Sequence, residues 1–480
     1  MAHNDHAGAN RLSSGLGNRQ MTMIAIGGVI GAGLFVGSGK AIGQAGPGVL
    51  ISYIGVGLIV VLVMRMLGEM AVAQPETGSF SSYASRELGP WAGLSVGWLY
   101  AYQWCITVGF EAIAGAAIAH QVLPAVPSWL AALVFMAVLM GVNLIRVSSY
   151  GEFEFWFALI KVVAIVAFIA LGIAAVLGLV PGFSSPGLSN LTQHGGFLPQ
   201  GGMAVLLATL VVFFSFFGTE VVTIAAGEAL DPVQSVRRGM NSVVWRILVF
   251  YIGSMLVVLT LLPWNDTEIT QSPYVAVLDR LGIPGAAGVM DVVVLTAVLS
   301  CLNSGIYASS RMVYSLASRG EGPRVLSRTN AHGVPVWAVL LASSIGLLTV
   351  VANYFIPTEA VFTFLLESSG AVAVVVYLCI VVTQLRGRRR LERERPEALT
   401  FKMWAFPYLT GVVGVVLLAI IVGMGINADS RRSLVLTLLV TAVAVGAGLV
   451  RQRRLGAASA APVRAAAPKP TSLSPQVQEK

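Results

Sequence analysis

The sequence Ile26-Gly-Gly-Val-Ile-Gly-Ala-Gly-Leu-Phe35 places four glycines inside an apolar segment long enough to span a membrane. Each interior glycine costs a helix about 0.5–1 kcal/mol relative to alanine, and lipid offers no water to backbone groups that lose a partner. Two interpretations follow from this stretch alone. The glycines either let two helices pack closely, or they break the helix and free backbone groups to bind a polar ligand.

The composition is that of an integral membrane protein. Hydrophobic residues make up 56% of the 480 residues, charged residues only 11%, and the mean hydropathy is +0.81. The three cysteines lie in apolar stretches without ligand-like spacing, which predicts neither a disulfide framework nor a zinc site. Residues 1–20 show no apolar core followed by a cleavage site, so the first apolar helix is expected to be retained.

Basic residues favour alternate connections between the twelve spans that hydropathy predicts. The predicted inner segments contain Arg11, Arg19, Arg86, Arg237, Arg238, Arg319, Arg324, Arg328, the basic run 386–395 and the run 451–454. The predicted outer connections contain Arg280, Arg431 and Arg432. This asymmetry places both termini in the cytoplasm, and it explains the net charge of +8 without a nucleic-acid partner.

Three ionisable residues lie deep in predicted spans: Glu111, Lys161 and Glu220. Such residues are functional candidates because they face a cavity or a partner rather than lipid. Lys161 follows the interfacial Glu152 by nine residues, a helix rise of about 13 Å that a lysine stem does not cover. We therefore expect Lys161 to point into the protein, either as a proton carrier or in a permanent ion pair with Glu111 or Glu220. Glu220 is either a second proton-coupling group or a brace for a helix break.

A second irregularity, Ser215-Phe-Phe-Gly-Thr-Glu220, lies in the sixth predicted span, five helices after the first. Because the spans alternate in direction, corresponding helices of two five-helix units run in opposite senses, which is the pattern of an inverted repeat with its site between the repeats. Together the two irregularities favour a transport site over simple packing. The predicted organisation is a cytoplasmic tail (1–20), two five-helix repeats (21–178 and 202–384), two accessory helices (404–450) and a disordered cytoplasmic tail (455–480).

Two further polar patterns each have two interpretations. Arg65 and Glu69, four residues apart, predict a local ion pair, with a gating role as the alternative. The polar middle of the long eighth span, residues 300–305, either lines a cavity or joins helices by hydrogen bonds.

These residues resemble the amino acid transporter branch of the amino acid, polyamine and organocation superfamily. The motifs that carry the resemblance are 26–37, Arg65–Glu69, Gly78–Phe80, Gly151–Trp156, Ser215–Glu220 and Ala226–Glu228. Within that branch, five more look most like bacterial γ-aminobutyrate permeases: Gly97–Tyr100, Glu111–Ala112, Val243–Arg246, Leu262–Asn265 and Ser300–Ser304. Relatives for aromatic amino acids, proline and lysine share most of these motifs, and the segment Ala101–Cys105 departs from the γ-aminobutyrate type.

The resemblance implies five plus five inverted helices with two extra, and proton-coupled rather than sodium-coupled uptake. It implies that the N–H groups of Gly31, Ala32 and Gly33 bind the substrate carboxylate. The carbonyls of Val29, Phe214 and Phe217 would receive the ammonium, with Phe214 as an aromatic gate. Ile30, Gly218 and Thr219 complete the expected substrate site, Lys161 faces the first break, and the accessory candidates are Glu111, Cys301 and Asn303.

Three other classes of protein are less compatible with the sequence. A nutrient sensor with a transporter fold needs an appended signalling domain, and a channel needs a continuous pore rather than two broken helices. An enzyme needs a nucleophile, metal ligands or paired carboxylates, and the five histidines do not cluster with such groups. We predict no enzymatic activity and no cofactor, with the proton gradient as the energy source. The sequence indicates no oligomeric state.

Overall fold

The computed structural model describes residues 12, 15–27, 30–269, 272–356 and 358–460. These residues form helices and no named β-strand, and an isolated parallel bridge joins Leu16 to Ala229. Gly28 and Val29, which belong to the first glycine-rich stretch, lie outside the described residues.

The α-helices run in chain order as α1 (Asn18–Gly27), α2 (Ala32–Phe35), α3 (Gly37–Ala45), α4 (Val49–Ala73), α5 (Ser79–Glu87), α6 (Pro90–Val122), α7 (Ser128–Ile145), α8 (Val147–Val176), α9 (Gly201–Phe216), α10 (Val221–Ala225), α11 (Pro232–Arg246), α12 (Ser254–Leu261), α13 (Pro273–Arg280), α14 (Ala286–Ser318), α15 (Val336–Phe355), α16 (Thr358–Glu394), α17 (Tyr408–Ile426) and α18 (Ala428–Ala460). A π-helical segment, Ile247–Gly253, joins α11 to α12 into one long helix.

Ten stretches of the described chain are long and apolar enough to cross a membrane, against twelve predicted spans. The difference has two sources. The first predicted span is divided into short helices, and its outer half is continuous with α4 in the stretch Ala32–Ala73. The ninth, within α15, has a shorter apolar part, Val336–Ala352. The last helix runs to Ala460, into the segment predicted to be disordered, and 461–480 lie outside the described residues.

The centre of the molecule is formed by α6 and the helices around the second irregularity. The buried share of the apolar window is 78% in α6 and 83% in Gly201–Glu228. It is only 28% in α8 and in α18. The remaining apolar surface of α8 and α18 faces outward, as lipid contact requires. Polar groups such as Glu111 on α6 and Glu220 between α9 and α10 are therefore enclosed by protein.

The predicted ion pair between Arg65 and Glu69 is replaced by contacts with other parts of the chain. Glu69 Oε2 pairs with Arg388 Nη1 of α16 at 2.5 Å. Arg65 donates through Nε to the Lys402 carbonyl at 2.8 Å and lies over the Phe401 ring, 3.6 Å from its centroid. The two residues fasten α16 and the connection that follows it to α4, a long-range role that spacing along one helix does not reveal.

Candidate substrate-binding site

The first helix is interrupted at the glycine-rich stretch, as predicted. Helix α1 ends at Gly27 and α2 begins at Ala32, with Gly31 in an extended conformation (φ −138°, ψ −151°) before it. The Ala32 N–H donates to Glu111 Oε2 at 3.1 Å. Glu111, 1% exposed, therefore holds its carboxylate at the start of α2, where the resemblance places the substrate carboxylate.

Lys161 contacts the same interruption from the other side. Its Nζ donates to the Ile30 carbonyl at 2.9 Å and to Ser300 Oγ at 2.8 Å. The side chain is fully buried, and its ion pair is with Glu154, at 3.9 Å from Nζ to Oε1. The permanent pair that we considered, with Glu111 or Glu220, is thus not the one that the structure forms. The expectation that Lys161 points into the protein agrees with its burial.

The second interruption lies between α9 and α10 and is held by its own residues together with Tyr377 of α16. Phe217 is extended (φ −61°, ψ 141°), and Gly218 has φ +99°, a value that favours glycine. The Gly218 N–H donates to both carboxylate oxygens of Glu220, at 3.0 and 3.2 Å. Thr219 Oγ1 donates to the Phe216 carbonyl at 2.6 Å, and the Tyr377 hydroxyl donates to Glu220 Oε2 at 3.4 Å. These contacts favour the bracing role for Glu220.

The two interruptions lie side by side. Ser215 Oγ donates to the Gly33 carbonyl at 2.6 Å, which joins α9 to α2. Arg246, buried where α11 meets the π-helical segment, donates through Nη1 to the Ala25 carbonyl and through Nη2 to Thr219 Oγ1, both at 2.6 Å. One guanidinium therefore connects the end of α1 to the second interruption.

Glycine is required in the first interruption by close contacts with neighbouring residues. A Cβ on Gly31 would lie 2.5 Å from the Cβ of Cys301 and 2.7 Å from Glu111 Oε1. A Cβ on Gly33 would lie 2.9 Å from the Ser215 Cα. Both interpretations of the glycines are thus realised in one place, since the helix is broken and its neighbours approach closely.

Aromatic rings line the second interruption. Phe214 packs edge-on against Phe110, with ring centroids 4.7 Å apart. Phe217 lies against Tyr100 and Trp104, at 5.5 and 5.6 Å. The rings of Phe214 and Phe217 thus face α6, which also supplies Glu111 to the first interruption.

The two accessory candidates on α14 lie in different surroundings. Cys301 contacts Gly31 at the first interruption. The Asn303 side chain accepts a hydrogen bond from Asn143 Nδ2 of α7 at 2.7 Å. Cys301 thus adjoins the expected substrate site, and Asn303 joins two helices beside it.

The expected substrate site is closed in this conformation. Lys161, Glu111 and Glu220 are each at most 1% exposed. A cleft of about 360 Å³ on the predicted outer side borders Val36, just beyond α2. A second cleft of about 350 Å³ borders Gly227 on the predicted inner side. A substrate could reach the breaks from either cleft only if the packing between them opened.

Sequence reasoning missed Glu154 and Arg246, which contact residues at the two interruptions. Glu154 reads as one member of an interfacial run of acidic and aromatic residues, and Arg246 as a basic residue near a helix end. The available signal for Glu154 was its spacing of seven from Lys161, which places both on one helix face. In the described part of the chain, no group of three or more His, Cys, Asp or Glu side chains is arranged to hold a metal ion.

The first helix is broken, a second interruption lies beside it, and each break is contacted by buried ionisable groups. These features define a membrane transporter of the discontinuous-helix class. Residues 20–450 match the amino acid permease family, and the chain belongs to that family. An amino acid permease transports a small-molecule substrate and is embedded in the membrane by several helices, in keeping with the ten apolar stretches.

Several relatives are named for their substrates. The gamma-aminobutyric acid permease of Bacillus subtilis is 51% identical over 443 residues, which cover 92% of this chain and 94% of the relative. The gamma-aminobutyric acid permease of Escherichia coli is 50% identical over 84% of this chain and 86% of its own. An aromatic amino acid transport protein of Corynebacterium glutamicum is 42% identical over 88% and 91%.

The fold has a match among solved structures. A manganese transporter of Eremococcus coleocola superposes with a TM-score of 0.54 at 15% identity, over 91% of this chain and 94% of that one. At this identity the match concerns the fold alone.

Proposed function

We propose that this chain imports γ-aminobutyrate or a related amino acid across the plasma membrane by proton symport. The observation that carries the proposal is the contact between the Lys161 ammonium and the Ile30 carbonyl, at the break of the first helix. A buried cation at this point can exchange a proton as the site opens to either side, and it leaves no need for a sodium ion there. The proton gradient, rather than a bound cofactor, would supply the energy.

The proposed layout is two inverted five-helix repeats and two accessory helices, with twelve crossings and both termini in the cytoplasm. The two interruptions support it, since they lie in the first and sixth predicted spans and touch each other through Ser215 and Gly33. The distribution of basic residues supports the orientation.

The substrate carboxylate would bind at the start of α2, and its ammonium near the carbonyls of Phe214 and Phe217. The N-terminus of a helix favours an anion through its free N–H groups and its dipole. Since Glu111 now accepts from the Ala32 N–H, the arriving carboxylate would take that donor over, and Glu111 would turn toward the substrate ammonium. The names of the two γ-aminobutyric acid permeases, at 50 and 51% identity, favour γ-aminobutyrate as the substrate.

The test is uptake of radiolabelled γ-aminobutyrate into proteoliposomes, compared with phenylalanine, proline, lysine and γ-aminobutyramide. We expect accumulation that depends on an inward proton gradient, ignores sodium and requires the substrate carboxylate, so that the amide is a poor substrate. If another amino acid accumulates in preference to γ-aminobutyrate, the substrate assignment is wrong but the proposed mechanism stands. A sodium requirement, or efficient uptake of the amide, would contradict the mechanism itself.

A further inference from the structure

Glu154 is a fully buried carboxylate that the proposed transport site does not use. It lies on α8, seven residues before Lys161 and on the predicted cytoplasmic side of it. Seven residues correspond to a helix rise of about 10 Å, but the lysine stem leans toward the start of its helix and closes that distance. The ammonium and the carboxylate come to 3.9 Å of each other.

A hydroxyl group bridges the two charges. Ser300 Oγ of α14 accepts from Lys161 Nζ at 2.8 Å and donates to Glu154 Oε1 at 2.5 Å. A purely structural counter-ion would gain most from direct, fully satisfied hydrogen bonds. Here the Nζ to Oε1 distance exceeds a hydrogen bond, and Glu154 Oε2 has no hydrogen-bond partner among the described residues. The arrangement is an amine, a hydroxyl and a carboxylate in line.

The surroundings of Glu154 hold further polar groups on each packed element. From α14, Asn303 and Ser304 flank the carboxylate. From α8 itself, Tyr150 lies one turn toward the cytoplasmic end, hydrogen-bonded to Ser304 Oγ at 3.2 Å. Further charged and titratable groups lie around its two neighbours: Glu228, Arg311 and Tyr307 near Tyr150, and Glu111, Cys301 and Arg246 near Lys161.

The route beyond Glu154 toward the predicted cytoplasmic side is closed by packed side chains. The Tyr150 ring stacks on Tyr307, with centroids 4.1 Å apart and planes 3° from parallel. The Tyr307 hydroxyl donates to Glu228 Oε1 at 2.9 Å, and Arg311 Nε pairs with the same oxygen at 2.8 Å. A proton on Glu154 would therefore be held until this layer opened to water.

We propose that Glu154 is the proton acceptor on the cytoplasmic side of Lys161, with the Ser300 hydroxyl as the relay between them. This inference rests on the proton coupling in the proposed function. In the step, an N–H bond of the Lys161 ammonium breaks and its proton joins Ser300 Oγ, while the Ser300 hydroxyl proton passes to Glu154 Oε1. Ser300 ends as it began, and Lys161 and Glu154 both become neutral.

The net charge of the pair is zero before and after this step. The transfer therefore places no unbalanced charge in the protein interior, which is the situation that low-dielectric surroundings penalise most. Opening of the Tyr150–Tyr307 layer would then let Glu154 release its proton to the cytoplasm, and Lys161 would be reloaded when the site next opened outward.

The test uses the full chain in proteoliposomes with a trapped pH-sensitive dye. The variants are Glu154→Gln and Ser300→Ala, and the matched control is Ser309→Ala, a buried hydroxyl on α14 that donates to its own helix at the Gly305 carbonyl. Counterflow exchange of γ-aminobutyrate is measured beside gradient-driven accumulation and substrate-driven proton entry.

We expect Glu154→Gln to keep exchange within about threefold of the unmodified protein while losing substrate-driven proton entry. A one-unit pH gradient coupled to one proton supports about tenfold accumulation, and this tenfold should disappear. Ser300→Ala, which keeps the charges of Lys161 and Glu154, should also slow substrate-driven proton entry. Ser309→Ala should leave proton entry unchanged. A merely structural carboxylate would lower exchange and accumulation together.

Normal proton entry and accumulation in Glu154→Gln would overturn the inference. If that variant loses exchange as well, Ser300→Ala decides: wild-type coupling in it would overturn the relay, and coupling lost with exchange retained would support it. If the unmodified protein shows no substrate-driven proton entry, the proton symport of the proposed function fails, and this inference fails with it.

Discussion

The two helix breaks touch each other but are held in different ways. At the first, the backbone groups of Ile30 and Ala32 are bound by Lys161 and Glu111, side chains from two other helices. At the second, the Gly218 N–H is bound by Glu220, two residues away. We therefore expect the first break to exchange these partners for a substrate, and the second break to keep its conformation beside it.

The largest effect should come from removing the cation at the first break. Lys161→Gln should retain exchange but lose accumulation, which for one coupled proton is about tenfold per unit of pH gradient. The matched control is Lys402→Gln, an exposed lysine whose backbone carbonyl accepts the hydrogen bond from Arg65. The measurement is counterflow and gradient-driven uptake in the same proteoliposomes. Wild-type accumulation by Lys161→Gln would show that the first break does not carry the proton coupling.

The second-largest effect is expected from adding a side chain at the first break. Gly31→Ala would press on Cys301 and Glu111, and overpacking of this kind costs about 1–3 kcal/mol, so substrate affinity should fall about tenfold or more. Gly33→Leu should lose binding by steric block. The control is Gly141→Ala, where a Cβ meets no atom within 4 Å. Equilibrium binding of labelled substrate tests both, and full binding by either variant would refute the assignment of the carboxylate site.

A smaller effect is expected at the second break. Glu220→Gln keeps one oxygen that can accept from the Gly218 N–H, so the loss should be about 0.5–1.5 kcal/mol, the usual net value of a hydrogen bond. We expect uptake to fall by about two- to tenfold and its pH profile to keep its shape. Loss of proton entry with exchange retained would instead make Glu220 a coupling group, and the two breaks would then be alike.

The smallest change concerns the contact that joins the breaks. Ser215→Ala removes the donor to the Gly33 carbonyl, worth about 1 kcal/mol, and should weaken substrate affinity about fivefold. Ser242→Ala, whose hydroxyl bonds within its own helix at the Gly239 carbonyl, is the control. Titration of uptake against substrate concentration measures the shift. An unchanged KM would show that the breaks do not depend on each other.

The sequence was informative where a residue type has few uses in lipid. Glycines in a spanning helix and a lone intramembrane lysine have few explanations, and both breaks were found in the predicted places. Long-range pairing was not predictable, because spacing along a helix identifies partners only on that helix. Glu69 thus pairs with Arg388 rather than with Arg65. Lys161 pairs with Glu154 on its own helix, a partner that their spacing of seven allows, rather than with Glu111 or Glu220. The predicted role of the Val29 carbonyl stays a prediction, since Val29 lies outside the described residues.

The guanidinium of Arg246 also bears on how the transport rate responds to temperature. It bonds the Ala25 carbonyl at the end of α1 and Thr219 at the second break, so α1 can move away only when at least one of these bonds breaks. Hydrogen bonds to a charged group contribute about 1.5–3 kcal/mol each, so breaking one of them adds to the activation barrier of this motion. Cooling should therefore slow turnover more steeply than it changes affinity. Arg246→Lys, which cannot span both acceptors with one planar fork, should flatten the Arrhenius slope of turnover.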